Sequence, residues 1–260
     1  MEEPVVLTEH RGPIAIITLN RPDALNAQSR ALSAQMSAAF AGLGEETRVA
    51  ILTGKGRAFC AGVDLKELSS GDNVLQAPDE VEGAGHNRFG MSAFKGPIIA
   101  AINGFAMTGG LELALNCDIR IAATTARFAD THARVGVIPG GRMSALLPRV
   151  IGLSRAKEMS LSGRMIDAAT AERWGLVNRL VAPEDLMAEA LALAEDIARN
   201  DPGIVQPYNA LIEANYGMTY AEAIDNEHIT SRDANQRFQS AALDPAAVAA
   251  RMRQSQQQQQ

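Results

Sequence analysis

A glutamate and a histidine lie twenty positions apart in this sequence, each close to a glycine turn. They are the residues best placed for acid–base chemistry. Glu112 falls within TGGLE, part of KGPIIAAINGFAMTGGLELALNCD, residues 95–118. The apolar run reads as a buried strand that enters a glycine turn, and the turn opens a helix with Glu112 just inside it. The first N–H groups of a helix have no partner in the helix and favour an anion beside them. His132 falls within RFADTHARVGVIPG and precedes a second turn, Gly136 to Gly141. A carboxylate and an imidazole that meet can exchange protons near neutral pH. The pattern points to chemistry through a negatively charged intermediate.

The elements that must position these residues are legible from periodicity. Val5–Glu9 and Ile14–Leu19 are β-formers split by Arg11-Gly12-Pro13 and read as a hairpin. Asn20-Arg21-Pro22-Asp23 breaks the chain, and Ser29–Leu43 has alanine-rich helical spacing. Val49–Thr53, Ile98–Ile102 and Ile119–Ala122 read as buried strands, and Leu111–Cys117 as a short apolar helix. From Ser154 the pattern is helical over 154–161, 168–174, 184–199, 202–214 and 219–237. Strands alternating with helices predict an α/β layer structure with helices gathered at the C-terminus. No internal repeat is visible in the sequence. Residues 69–90 are rich in Gly, Asp and Asn without periodicity and read as a mobile loop of the kind that covers pockets.

Composition excludes several classes. The chain has 260 residues, 47% hydrophobic, enough for one domain with a helical appendage. Net charge is −6 with Lys and Arg scattered, which argues against a nucleic-acid partner. The start, MEEPVV, lacks the pattern of a signal peptide, and no apolar run approaches the ~18 residues of a membrane span. Cys60 and Cys117 sit in apolar contexts and read as buried free thiols of a reducing cytosol. There is no CxxC, no HExxH and no His/Cys cluster at ligand spacing, so no metal site is expected.

Three segments, AFCAGVDLKE (58–67), INGFAMTGGLELALNCD (102–118) and RFADTHARVGVIPG (127–140), resemble the crotonase, or enoyl-CoA hydratase/isomerase, superfamily. NRPDALNA (20–27) and SGRMIDAATAERWGLVNRLV (162–181) fit as well, so the similarity runs from about residue 5 to 240 in matching order. The resemblance implies a spiral of ββα units with C-terminal helices that pack a trimer, and trimers that pair into hexamers. The boundaries it implies are a core with the acyl-CoA site over 1–195, a helical region over 196–253 and a disordered Gln-rich tail over 254–260.

It also implies an acyl-CoA thioester substrate, with CoA as part of the substrate and no separate cofactor. The N–H groups of Val63 and Gly109 would hold the thioester oxygen as it becomes an enolate. Preorganised donors of this kind are worth about 3 kcal/mol each. Ala24, Leu25, Ala61, Asp64 and Leu65 would line the CoA channel, mostly through backbone atoms, with Gly140 also on the ligand side. Lys66 aligns with a lysine near the CoA nucleotide, the alternative being an ordinary solvated lysine. Asp118 reads as structural, satisfying a helix end.

Hydratases of the family use two carboxylates, one in the GGxE helix and one four residues after the RF phenylalanine. Glu112 matches the first, but His132 occupies the second. A further departure is Gly141-Arg142-Met143 after the IPG turn, where Arg142 either projects near the pocket or is solvated. Three readings of His132 are open. It replaces the missing acid; it is a binding residue beside a lone Glu112; or it marks a site that has lost hydratase chemistry. Hydration of a 2-enoyl-CoA in the cytoplasm is the expected reaction, with isomerisation, another enolate reaction, or inert acyl-CoA binding as alternatives.

Overall fold

The chain reverses at Gly12, whose φ of +58° favours glycine. Val6–Arg11 (β1) and Ile14–Leu19 (β2) pair antiparallel across this turn, as the β-former runs predict. The computed structural model describes residues 3–69 and 89–238. It divides into two compact units, Met1–Ala194 and Glu195–Gln260. Arg30–Ala41 (α1) begins at Ser29, whose hydroxyl accepts from the Leu32 N–H. It buries Leu32, Met36 and Phe40, the stripe its spacing dictates.

Three successive ββα turns follow. The first is Val49–Gly54 (β3), Ala58–Cys60 (β4) and Leu65–Ser69 (α2); the second is Ile98–Ile102 (β5), Phe105–Met107 (β6) and Gly109–Leu115 (α3). The third is Ile119–Ala123 (β7), Arg127–Ala129 (β8) and His132–Val135 (α4). The longer strand of each turn joins one sheet and the three-residue strand joins another. With Ile166–Asp167 (β9) and Arg179–Val181 (β10), the larger sheet runs β1-β2-β3-β5-β7-β10 and the smaller β4-β6-β8-β9 among the described residues. β2 through β10 in the larger sheet pair in parallel. β3 and β5 are buried at every residue, which is why they read as unbroken apolar runs. This is the α/β spiral that the resemblance implies, and it is a repeat in structure that the sequence does not display.

Helices make up most of what remains of the first unit, Met143–Ile151 (α5), Leu153–Ser162 (α6) and Ala168–Arg173 (α7), and Leu186–Ala198 (α8) runs across its boundary at Ala194. Two sequence readings change. The helix expected over 111–117 spans Gly109–Leu115 with Asn116 as its C-cap, leaving Cys117 outside. Gly109 and Gly110 enter the helix because their bare Cα atoms pack against Gln28 and Cys60. α5 was not expected, because Pro148 lies inside it and hides the periodicity.

In the second unit, Pro202–Tyr216 (α9) starts at Asp201, whose carboxylate accepts from the Gly203 N–H. Tyr220–Phe238 (α10) follows a capping box in which Thr219 and Glu222 each accept from the other's backbone N–H. The expected pocket-setting loop, apart from Ser69 and residues 89–90, and the expected Gln-rich tail lie outside the described residues.

Candidate active site

The chemistry-bearing residues leave the C-terminal ends of three adjacent parallel strands. β4 pairs with β6, and β6 with β8, all parallel. The segments after these strands are Ala61–Asp64, Thr108–Glu112 and Asp130–His132, so three distant parts of the sequence meet at one edge, the usual place for a ligand in a parallel sheet.

Val63 and Gly109 are brought together by close backbone contact. Gly62 has φ +99°, and a Cβ there would stand 3.4 Å from the Gly109 nitrogen and 3.1 Å from the Met107 carbonyl oxygen. Gly110 presses against β4 so tightly that a Cβ would lie 1.9 Å from the Cys60 carbonyl oxygen. Gln28 staples the pair: its backbone N–H donates to Gly62 O, its C=O accepts from Asp64 N–H, and its Nε2 donates to Gly109 O at 2.9 Å. Among the described residues, these bonds leave the N–H groups of Val63 and Gly109 uncommitted. Thr108, just before the helix, holds φ +52° and ψ −112°, a strained conformation for a β-branched residue. Its neighbours impose it. Its N–H donates to Ala129 O, and its hydroxyl meets the Thr131 hydroxyl at 2.5 Å.

Glu112 is 1% exposed, in a helix whose residues are all buried. A buried carboxylate needs hydrogen-bond partners. Oε1 accepts from the Gly141 N–H at 2.7 Å. Gly141 is itself positioned by Asn116, whose Nδ2 donates to Gly141 O and to Glu112 O. Oε2 faces His132 Nε2 at 3.9 Å, beyond hydrogen-bond reach. A water lying ~2.8 Å from both atoms would see them at about 90°, a feasible bridging angle.

His132 is 6% exposed and opens α4. Its Nδ1 lies 2.6 Å from Asp130 Oδ1, and its backbone N–H donates to the same oxygen. Asp130 is buried as well. Burial alone would push its carboxyl up, but the His132 ring, the Ser160 hydroxyl and the His132 N–H together hold it below the usual range. Asp130, Asn116 and the Thr108–Thr131 pair were not singled out from sequence, and Gly141 was noted only as part of a turn. The only available signal for Asp130 was its place two residues before the histidine.

The expected CoA-side residues gather around the same turn. Ala24 and Leu25 are half-buried, with Leu25 left-handed at φ +52° and its carbonyl accepting from Ala61 N–H. Arg21 clamps this loop, donating to Ala27 O and Asp64 Oδ2. Asp64 is buried and also accepts from the Lys66 N–H, so its carboxylate shapes the turn and starts α2. Leu65, Lys66 and Gly140 are exposed. Asp118 is structural as expected, but it serves a strand and not a helix end: its Oδ2 accepts from Ile98 N–H at 2.7 Å. Arg142 is not simply solvated. It is half-buried, left-handed at φ +74°, and its guanidinium donates to Asn116 Oδ1. That contact supports the residue that fixes Gly141. Among the described residues no group of three or more His, Cys, Asp or Glu could hold a metal ion, and no helix is long and apolar enough to cross a membrane.

Residues 9–243 match the family model described as enoyl-CoA hydratase/isomerase. A probable peroxisomal enoyl-CoA hydratase 1 of Arabidopsis thaliana is 38% identical, over 87% of this chain and 84% of its own. A probable enoyl-CoA hydratase of Rhizobium meliloti is 39% identical, over 86% and 87%. Among solved structures, an enoyl-CoA hydratase from Mycobacterium tuberculosis superposes with a TM-score of 0.80 at 38% identity, covering 88% of this chain and 89% of its own.

Proposed function

The chain belongs to the enoyl-CoA hydratase/isomerase family, and from that premise we propose that it hydrates a 2-enoyl-CoA to the 3-hydroxyacyl-CoA, with His132 standing where the second carboxylate of the family would be. The observation that carries this reading is the buried pair Glu112 Oε2 and His132 Nε2, 3.9 Å apart beside the Val63–Gly109 turn. Water adds to C3 and its proton passes to Glu112 Oε2. The C2–C3 π electrons move onto the thioester oxygen, and the N–H groups of Val63 and Gly109 hold the enolate. The imidazolium of His132 gives its Nε2 proton to C2 as the enolate collapses. Glu112 is then protonated and His132 neutral, and a proton relayed from Oε2 to Nε2 through the next water to enter between them restores both. The cycle transfers no net electron, so it calls for no redox cofactor.

The relatives' names support the substrate class, a CoA thioester. Pantetheine is rich in amides and suits the backbone of Ala24, Leu25 and Ala61, while exposed Lys66 suits the nucleotide phosphates. Exposed Ile204, Tyr208 and Ile212 on α9 and Ile224 on α10 support assembly into a trimer or dimer of trimers. Light scattering that found only monomer at micromolar concentration would overturn that assembly. The buried free thiols of Cys60 and Cys117 suit a reducing compartment such as the cytosol.

The test is loss of enone absorbance from crotonyl-CoA and longer 2-enoyl-CoAs. Turnover by the parent and a drop on the order of 10² to 10⁴ in Glu112→Gln, with CoA affinity kept, supports hydration. Absorbance gained from a 3-enoyl-CoA with none lost from 2-enoyl-CoAs would assign isomerisation instead.

A further inference from the structure

We infer that Asp130 is a positioning residue: by holding the Nδ1 proton of His132 it presents Nε2 to Glu112, so that Asp130, His132 and Glu112 form one buried proton line. The inference deepens the hydratase reading and rests on it for its catalytic consequence, while its structural content stands apart.

The geometry is specific. A neutral imidazole carries its proton on one nitrogen, and the hydrogen bond made by the other face decides which. An ionised carboxylate only accepts, so Oδ1 at 2.6 Å from Nδ1 requires a proton on Nδ1. The same Oδ1 also accepts from the His132 backbone N–H, which locks the side chain of residue 130 onto the first turn of α4. Asp130 is held from a second direction by the Ser160 hydroxyl on α6. With Nδ1 committed, Nε2 is the nitrogen left to face Oε2 of Glu112. When His132 is protonated, its mobile proton therefore lies on Nε2, on the side of the reacting carbon. When it is neutral, Nε2 offers a lone pair to take the proton back from Glu112. A histidine without Asp130 could adopt the opposite tautomer, with Nε2–H fixed and Nδ1 bare, and the return step would stall. The same division of labour, one carboxylate orienting an imidazole that moves the proton, governs the catalytic triads of serine hydrolases.

The experiment reads the tautomer directly. The intact protein, labelled with ¹⁵N-histidine, is examined across about pH 5 to 9, which spans ordinary histidine titration. His132 is assigned among the four histidines by the signal lost in His132→Gln. In the parent, Nδ1 should stay protonated throughout. In Asp130→Asn, whose amide can donate as well as accept, a species with bare Nδ1 should appear. On crotonyl-CoA, Asp130→Asn should lose on the order of 10² to 10⁴ in kcat with KM within about threefold, and Asp130→Glu should recover part of it. A parent His132 with bare Nδ1 overturns the inference whether or not Asp130→Asn folds. So does an Asp130→Asn protein with the parent's tautomer, or with the parent's kcat. If the tautomer shifts as expected but the parent turns over no enoyl-CoA, the positioning role stands and the hydratase reading falls.

Discussion

Gly141→Ala tests the backbone support of Glu112. Gly141 is not in a left-handed conformation, so its backbone accepts an alanine. The conflict is with one side chain. A Cβ there would lie 2.6 Å from Glu112 Oε2 and 2.7 Å from Cδ, where ordinary contact begins at 3.4 Å. The carboxyl must retreat by about 0.8 Å to regain contact distance. It then leaves both its hydrogen bond to the Gly141 N–H and its station opposite His132. Displacement of a catalytic group by roughly 1 Å costs on the order of 10²-fold in rate, about 2.7 kcal/mol. The lost charge-assisted hydrogen bond costs about 1.5–3 kcal/mol, or roughly 5 °C in Tm for a chain of this size. Stopped-flow hydration of crotonyl-CoA and a thermal melt read both effects. Gly217→Ala is the control, since its Cβ would meet nothing closer than 3.7 Å. A Gly141→Ala protein with the parent's kcat and KM would refute the claim that this backbone contact holds the catalytic carboxylate.

Gly110→Ala should behave differently, because its Cβ would strike the Cys60 carbonyl oxygen at 1.9 Å and backbone cannot swing aside. Soluble expression should fall sharply, and a parental melting curve would refute the packing argument. Asp64 yields a pH prediction. Burial pushes its carboxyl up, but the Arg21 guanidinium and the Lys66 and Glu67 N–H groups outweigh this and hold it low. A folded value below the unfolded ~3.9 means the pair contributes stability above that pH and loses it as pH falls through the folded value. Arg21→Ala should therefore melt earlier than the parent at pH 7, with the gap narrowing as pH falls below the unfolded ~3.9; a gap constant with pH would contradict it. Burial raises the Cys60 thiol to about 12 and pushes Cys117 up too. A thiol reagent at pH 8 should label neither in the folded protein and both in guanidinium, and rapid labelling of the native form would show the site to be open.

Local sequence determines the parts. The unbroken apolar run over 98–102 is a buried strand and nothing else fits it as well; Ser29 and Asp201 announce the helices they cap. The glycines of AGVD and TGG mark where backbone must approach backbone, and Glu112 is visible as the one charge in an apolar helix. These signals are local, arising from periodicity, caps and glycine freedom within a few residues. What the sequence does not contain is which strand lies beside which. The smaller sheet is built from strands of two or three residues, too short for any period to register, and the parallel register of β4, β6 and β8 carries Val63, Glu112 and His132 to one edge. Asp130 is invisible for the same reason. Two residues before a histidine it could face anywhere, and only the turn from β8 into α4, with Ser160 arriving from α6, points its carboxylate at Nδ1. Sequence alone leaves Arg142 open between the pocket and solvent, until Asn116 is seen beside it. The chain thus states its chemical groups in its own order, while the distances between them, on which the chemistry depends, belong to long-range packing.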